Sequence, residues 1–231
     1  MKATDATEGL TQLQEAQRIV LEATPTLGLE KISILDALGR VLGEDIVAER
    51  DNPPWDNSAM DGFAVRWEDI KREHAIQKTV TLTVIEDVPA GKMPSKSVGA
   101  GQAIRIMTGA PLPKGADTVL KVEDTEHTAD SVRVFKPEQQ GANIRPQGED
   151  VKKGECIIEK GTQIRPGEAG MLAILAKSFI FAYQRPRVAI LSTGDELADL
   201  DERFSDEKII NSNSYGIAAA VQEAGGIPLL L

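Results

Sequence analysis

The sequence is poor in the residues on which many metal sites and nucleophilic sites depend. Its 231 residues include one cysteine, Cys156, and two histidines, His74 and His127. This count excludes a disulfide framework, a Cys/His zinc site and a Cys-His nucleophilic pair, so any metal ion must be held by oxygen. Both histidines lie among polar residues and are expected on the solvated surface. Cys156, beside two isoleucines, is expected to be a small buried apolar residue.

Long apolar segments and glycine-rich nucleotide motifs are absent as well. No stretch approaches the length of a membrane-spanning helix, and residues 1–9 carry Asp5 and Glu8 with no apolar run of the secretory type. Neither the pattern G-x-x-x-x-G-K-[ST] nor G-x-G-x-x-G occurs. A formal net charge of −10 argues against a broad nucleic-acid surface. We therefore expect a cytoplasmic protein that binds neither nucleic acid nor membranes.

The chain nevertheless has the composition of a globular protein, with 41% hydrophobic and 27% charged residues. A capping box at Thr11 and Gln14, followed by apolar residues at helical intervals, predicts a first helix that ends at Thr24-Pro25. A helical turn is expected at 38–42. Asn52-Pro53-Pro54 then breaks regular structure and starts a loop.

The middle of the chain is predicted to be rich in short strands. Apolar residues alternate with polar ones at 80–84, 104–106 and 132–135, with turn residues between these runs. This pattern favours a small barrel or sandwich. The glycine-punctuated stretch 141–167 is interpreted as a second, turn-rich β module.

The residue pattern changes after Arg185-Pro186, from short alternating segments to a continuous apolar run. The run 188–191 is typical of a strand buried on both faces, a helix is expected from about Asn213 to Gly225-Gly226, and the last residues begin another strand. Strand, helix, strand is the opening unit of a parallel α/β sheet. Because this unit cannot cover both faces of a sheet, we expect a truncated domain or one completed by another chain.

One loop concentrates polar groups in an apolar setting. Residues 54–63, PWDNSAMDGF, place two carboxylates, an amide and the Ser58 hydroxyl directly after the diproline break. Short Asp/Asn loops often bond only their own backbone. Here three apolar side chains are expected to anchor the loop and present Asp61 to a hard cation or a ligand hydroxyl: Trp55, Met60 and Phe63.

Two further segments carry candidate anion-binding groups. Residues 105–113 end a strand with an outward Arg105 and a small-residue turn at Thr108, which is either a plain turn or a site for an anionic oxygen. Residues 141–150 carry Arg145 and Asp150 on either side of Pro146-Gln147. They form either a surface ion pair of little energetic value or a guanidinium that binds phosphate oxygens beside a metal-binding acid.

The last candidate segment is Ser192-Thr193-Gly194-Asp195-Glu196, which follows the predicted parallel strand. Ligands of open α/β sheets bind at the carboxyl ends of strands, so Asp195 and Glu196 are more typical of a site than of a helix cap.

Taken together, five strings resemble the molybdopterin molybdenumtransferase (MoeA) family, which is related to the gephyrin E domain. They occur in this order: DNPPWDNSAMDGFAVR, RIMTGAPLPKGADTV, GANIRPQGED, RPRVAILSTGDEL and IINSN. The resemblance extends from the first helix to Leu231, where the family pattern would continue with the rest of the α/β domain and a C-terminal β domain. It implies an elongated α+β multidomain protein with β-rich modules and the start of a molybdopterin-binding α/β domain.

The resemblance also implies domain bounds and chemistry. The α/β domain would comprise 1–25 and 180–231, a turn-rich linker or dimerisation module 26–46 and 146–179, and a small barrel-like domain 47–145. The activity would be insertion of molybdate into adenylated molybdopterin, with Mg²⁺-dependent release of AMP. The implied partners are a second copy of the chain, these two substrates and the molybdopterin adenylyltransferase.

The residues carried over from the resemblance form overlapping groups. The catalytic candidates are Asp61, Thr108, Asp150 and Glu196. The metal ligands would be Asp61, Asp150 and Glu196. The substrate-binding candidates are Ser58, Thr108, Arg145 and Asp195. Two other readings stay open at this point: a non-catalytic dimerisation fragment of the same family, and a generic metal-dependent pyrophosphohydrolase.

Overall fold

The computed structural model describes residues 11–71, 79–202 and 208–231. His74 lies outside these ranges. The chain divides into two compact units, which are described separately: a first unit of Met1–Asp45 with Glu159–Leu231, and a second unit of Ile46–Ile158. The three-part division taken from the resemblance stays a prediction.

The structure is rich in short strands, as the sequence predicts. The strands are β1 (Leu29–Ser33), β2 (Ile46–Val47), β3 (Asn57–Ser58), β4 (Gly62–Val65), β5 (Val80–Val88), β6 (Gln102–Ile106), β7 (Thr118–Lys121), β8 (Thr125–His127), β9 (Ser131–Val134), β10 (Ile144–Arg145), β11 (Cys156–Ile158), β12 (Phe179–Tyr183), β13 (Arg187–Ile190), β14 (Leu197–Ala198), β15 (Ile209–Ile210) and β16 (Ile227–Leu230). The helices are α1 (Leu13–Ala23), α2 (Pro166–Ile174) and α3 (Ser212–Glu223), with 3-10 helices at Ile34–Asp36 and Val122–Asp124.

A six-stranded mixed sheet forms the centre of the second unit. Its strand order is β7-β4-β6-β5-β9-β8, in which β5 and β6 run parallel and the other neighbours antiparallel. Both faces are buried at β4, β6 and β7, whereas one face of β5 and β9 is partly exposed. Phe63, Val65 and Leu120 belong to one apolar cluster, whereas Ala64 and Val119 belong to another. Successive residues of a strand point to opposite faces, so β4, β5, β6 and β7 contribute to both clusters, whereas β9 contributes to the first alone.

The sheet curves back on itself. The rings of Phe63 on β4 and His127 on β8 have centroids 5.3 Å apart, although three strands separate β4 from β8 in the sheet order. In a flat sheet four strand spacings would separate these strands by about 19 Å. The curvature agrees with the small barrel expected from the sequence. His127 remains exposed, as predicted.

Short ladders and turns surround this sheet. β10 pairs with β3 and β11 pairs with β2, both antiparallel. Gly141, Gly148 and Gly154 have φ between +70° and +87°, a region that side chains with a Cβ rarely adopt. These glycines account for the turn-rich character of this segment. Cys156 on β11 is exposed, so the expectation that it would be buried is wrong.

The first unit contains an antiparallel pair, β1 with β12, and two parallel pairs, β13 with β16 and β14 with β15. The strand, helix, strand unit predicted for the C-terminal segment is confirmed, with α3 between β13 and β16. Gly225, at φ +83°, ends α3 as expected. The predicted burial of 188–191 on both faces is wrong, because Ala189 is exposed and Leu191 is 69% exposed. In the described part of the chain, β13 has a single neighbouring strand, which leaves one edge uncovered.

Two local predictions in the first unit are also wrong. The N-cap of α1 is Gln12, with no side-chain cap bond, so Thr11 does not form the expected capping box. The helical turn lies at Ile34–Asp36 instead of 38–42. Val41 and Leu42 form isolated bridges with residues of two other segments, which holds their backbone extended. The helices in the described ranges are all too short or too polar to cross a membrane.

Candidate functional site

The loop after the diproline break is held by its neighbours through backbone hydrogen bonds. Ser58 N donates to Ala110 O at 3.0 Å, and Gly109 N donates to Ser58 O at 2.8 Å. On the other side, Asn57 lies opposite Arg145 in the β3–β10 ladder. The short strand β3 therefore joins two segments of the second unit that are far apart in sequence. These are the turn after β6 and the segment that carries Arg145.

The apolar anchoring of this loop is only partly as predicted. Phe63 is fully buried, whereas Trp55 and Met60 are 42% and 40% exposed. Backbone pairing through β3 takes over the role expected of these two side chains.

Asp61 and Thr108, both predicted as site residues, are in direct contact. Asp61 Oδ1 accepts hydrogen bonds from Thr108 N at 2.8 Å and from Thr108 Oγ1 at 2.7 Å. These two donors, with a smaller contribution from the Arg105 charge, lower the pKa of Asp61 below its ordinary value. Both residues are exposed. The contact gives an ionised, oriented carboxylate whose Oδ2 accepts no hydrogen bond from the described residues.

Gly62 explains how β4 brings Asp61 to this position. A Cβ on Gly62 would lie 1.7 Å from Leu120 O, well inside any permitted contact. Only glycine lets β4 approach β7 this closely. The residue after Asp61 is thus fixed by the packing of the sheet.

Arg145 and Asp150 are both exposed, and the structure does not pair them with each other. The Arg145 guanidinium makes no hydrogen bond or ion pair with the described residues. Asp150 Oδ2 has one weak contact, from Asn52 Nδ2 at 3.4 Å. The surface ion pair considered from the sequence is therefore not formed. Arg145 keeps its donors available for a ligand.

Ser58 is placed differently from the other predicted site residues. Its side chain is fully buried, and its hydroxyl donates to Met60 O while accepting from Met60 N at 3.2 Å. The hydroxyl thus closes a turn within its own loop. Next to it, Asn57 Oδ1 is buried and has no hydrogen-bond partner among the described residues.

Asp195 and Glu196 belong to the first unit, after the carboxyl end of β13. Both are exposed. The Glu196 carboxylate folds over Gly194, where an added Cβ would lie 2.5 Å from Glu196 Oε1. Its backbone carbonyl accepts from Ile209 N at 2.8 Å, which holds this turn against β15.

A polar cavity of about 300 Å³ lies beside this turn, within the first unit. Ser192 Oγ and Ser214 Oγ are 2.5 Å apart, and Asn211 Nδ2 donates to Ser192 Oγ at 2.8 Å. At its rim Tyr215 Oη donates to Asp199 Oδ1 at 2.7 Å. This bond lowers the pKa of Asp199 and raises the pKa of Tyr215.

Sequence reasoning placed the strand end correctly but missed the polar residues that line this cavity. The string IINSN contains Asn211, and the helix that follows it brings Ser214 to the end of β13. A helix start next to a strand end was the available signal.

The metal-ligand triad is not preassembled within the described ranges. No group of three or more His, Cys, Asp or Glu side chains converges there as a metal site requires. Asp61 and Asp150 belong to the second unit and Glu196 to the first.

Comparison with known proteins gives consistent matches. Residues 11–176 match the family model "MoeA N-terminal region (domain I and II)". A molybdopterin molybdenumtransferase of Nostoc sp. is 35% identical over 225 residues, covering 96% of this chain and 51% of the relative. Molybdopterin molybdenumtransferase 2 of Mycobacterium tuberculosis is 39% identical over 216 residues, covering 94% and 53%.

A solved structure of similar fold supports the same assignment. The molybdopterin biosynthesis MoeA protein from Pyrococcus horikoshii OT3 superposes with a TM-score of 0.85 at 38% identity, over 94% of this chain and 58% of that one. This likeness confirms the α+β fold class. The chain spans about half the length of the curated relatives that it matches. With a family model over most of its length and relatives at this level of identity, the chain belongs to the MoeA family.

Proposed function

We propose that the protein carrying this chain inserts molybdate into adenylated molybdopterin and releases AMP. The observation that carries this proposal is the joint placement of Asp61, Thr108 and Arg145 by the segments that β3 connects. The name of the relatives, molybdopterin molybdenumtransferase, supports a reaction that transfers molybdenum to molybdopterin.

The electrostatics of the second unit suit an adenylated, phosphate-bearing substrate. Cleaving a phosphoanhydride develops negative charge on the bridging and terminal oxygens. Arg145, with its unused donors, would bind the phosphate oxygens of the substrate before this charge develops and hold them throughout the reaction. Thr108 keeps the Asp61 carboxylate ionised and in one orientation. These side chains orient the substrate, and the pterin itself brings the sulfur that binds molybdenum.

Mg²⁺ is a proposed cofactor, and the donor set fits it in chemistry. Mg²⁺ prefers oxygen ligands, retains several waters and is commonly held by one or two carboxylates together with substrate phosphates. Asp61 offers a free Oδ2, and Asp150 has a single weak partner. Within the second unit, Asp61 and Asp150 would offer ligands to the ion. When bound, it would neutralise charge on the phosphate oxygens.

In the first unit, the polar cavity is proposed as a binding site of its own. Asp195 and Glu196 precede it, and the hydroxyls of Ser192 and Ser214 line it. Such groups suit the hydrogen-bonding edge of a pterin or the oxygens of a ribose. The Ser58 hydroxyl is bonded to the Met60 backbone, so Ser58 is a proposed binding residue only through its backbone atoms.

The proposal is tested by AMP release from adenylated molybdopterin, with molybdate and Mg²⁺ present and the intact protein as enzyme. We expect Asp61→Asn to lower kcat at least tenfold, because the amide loses the charge offered to a cation. Asp130→Asn is the matched control, since Asp130 lies in the exposed turn between β8 and β9. Equal rates for wild type and Asp61→Asn would overturn the assignment.

We also propose a cytoplasmic homodimer that receives its substrate from the molybdopterin adenylyltransferase. Exposed apolar side chains on α1 support self-association: Leu13 is 73% exposed, Val20 63% and Leu21 74%. Light scattering of the intact protein tests the dimer. A monomer at all concentrations would contradict it.

A further inference from the structure

Gln147, two residues after Arg145, is held from two sides by carboxylates. Gln147 Nε2 donates to Asp51 Oδ2 at 2.6 Å, and Gln147 N donates to Asp56 Oδ1 at 2.7 Å. The other oxygen of Asp51 accepts from Lys153 N at 2.8 Å. Hydrogen bonds from Lys153 and Gln147 lower the pKa of Asp51, so it is ionised at neutral pH. Both Asp51 oxygens and one oxygen of Asp56 are thus engaged by the backbone and side chains of 147–153.

The backbone on either side of Gln147 is tied to the same loop. Gly148 N donates to Pro53 O at 2.9 Å, and Asp150 N donates to Asn52 O at 3.0 Å. Arg145 and Asp150 themselves have little side-chain support, as described above. The positions of Arg145 and Asp150 are thus set by the backbone of 145–150. Among the described residues, Gln147 is the one whose side chain bonds to the side chain of Asp51 and so ties this segment to it.

We propose that Asp51 and Asp56 are positioning residues that act through Gln147 to fix Arg145 for the phosphate groups of the substrate. This inference rests on the proposed function of Arg145. An exposed arginine on a mobile loop must be ordered when a ligand binds, and that ordering weakens binding. A loop held in place beforehand removes this cost.

A purely structural role gives a different expectation. If the three residues only stabilise the fold, their loss lowers the melting temperature and leaves KM unchanged. If they position Arg145, their loss raises KM for adenylated molybdopterin. In that case kcat stays nearly constant, because the phosphate contact is made equally before and during the reaction.

The test uses a reversal of hydrogen-bond polarity in the intact protein. Gln147→Glu sets two carboxylates against each other, and this single variant is expected to raise KM about tenfold, since a charge-assisted hydrogen bond is lost. Asp51→Asn is expected to raise KM less, because the Gln147 amide can turn its oxygen toward the new donor and keep a neutral hydrogen bond. The double variant, Asp51→Asn with Gln147→Glu, lets the new amide donate to the new carboxylate while still accepting from Lys153 N. Its KM is expected to return to within about twofold of wild type.

Asp56→Ala is a second, independent variant, which removes the acceptor of Gln147 N and is also expected to raise KM. Glu86→Gln is the matched control. Glu86 likewise accepts backbone hydrogen bonds in the second unit, from Ser95 and Lys96, with no link to Gln147. Its KM should equal that of wild type.

Three outcomes decide the matter. Raised KM in the single variants with recovery in the double variant supports the proposal. Unchanged KM in the single variants, with or without a lower melting temperature, overturns it. Arg145→Ala separates this result from the proposed function. If that variant raises KM and the others do not, only the positioning role fails, whereas an unchanged KM for Arg145→Ala refutes the phosphate-binding function itself.

Discussion

Replacing Gly62 by alanine should destabilise the second unit and displace Asp61 at the same time. The added Cβ would start 1.7 Å from Leu120 O, and Cβ atoms essentially never lie within 3.0 Å of a heavy atom outside their own residue and its chain neighbours. The obstacle is backbone, so no side-chain rotation relieves it. β4 and β7 must separate along a ladder of four residue pairs from Gly62 to Val65.

The cost follows from this separation. Overpacking a buried site costs roughly 1–3 kcal/mol. Weakening one or two ladder hydrogen bonds adds about 1 kcal/mol each. We therefore expect a loss of about 3 kcal/mol in the free energy of unfolding, or a melting temperature lower by about 6–12 °C for a protein of this size.

The assay is thermal unfolding together with AMP release by the folded variant at low temperature. Gly167→Ala is the control with the same chemical change, because Gly167 lies in α2 with nothing within 4 Å of its added Cβ. It should be neutral or slightly stabilising. A Gly62→Ala protein as stable as wild type would refute the close approach of β4 and β7.

Two further predictions concern single carboxylates. Thr108→Val removes the hydroxyl donor to Asp61 Oδ1 while the backbone donor remains. The pKa of Asp61, measured by NMR titration, should therefore rise part of the way to its ordinary value. An unchanged pKa would contradict the contact. Hydrogen bonds from Arg165 lower the pKa of Glu168 from 4.5 to about 2, so the stabilising effect of the Glu168 carboxylate is complete above pH 4.5 and is lost as the pH falls toward 2. In Glu168→Gln, the free energy of unfolding should therefore fall less steeply between pH 4.5 and pH 2 than in wild type. The same slope in both proteins would argue against this pair.

Local sequence patterns predicted most of the strands. They were most accurate where one local interaction determines the structure of a segment. Period-two alternation at 80–84 and 132–135 corresponds to β5 and β9, because alternate residues of these strands face one apolar cluster while those between them, such as Thr81 and Arg133, are exposed. The strand-helix-strand motif of β13, α3 and β16 was predicted from one apolar run and from the glycine pair that ends the helix. The sequence motifs also predicted Asp61 and Thr108 as site residues, and the structure shows that these two residues are in contact.

The errors occur where distant segments decide the outcome. Val41 and Leu42 are extended because they bridge to residues more than a hundred positions away, which no local pattern reveals. Trp55 and Met60 are partly exposed because β3 is held by backbone pairing instead of by apolar anchors. The Gln147 anchor was also missed, since a glutamine between proline and glycine carries no distinctive signal of its own.

The most direct test of the central claim, that Arg145 and the Asp61–Thr108 pair face one phosphate-bearing ligand, is equilibrium binding of adenylated molybdopterin to the intact protein. Arg145→Ala should weaken binding about 10- to 100-fold, the loss expected for hydrogen bonds to a charged group, and leave the melting temperature unchanged. The affinity of Asp130→Asn should equal that of wild type. Equal affinity of wild type and Arg145→Ala would contradict the account.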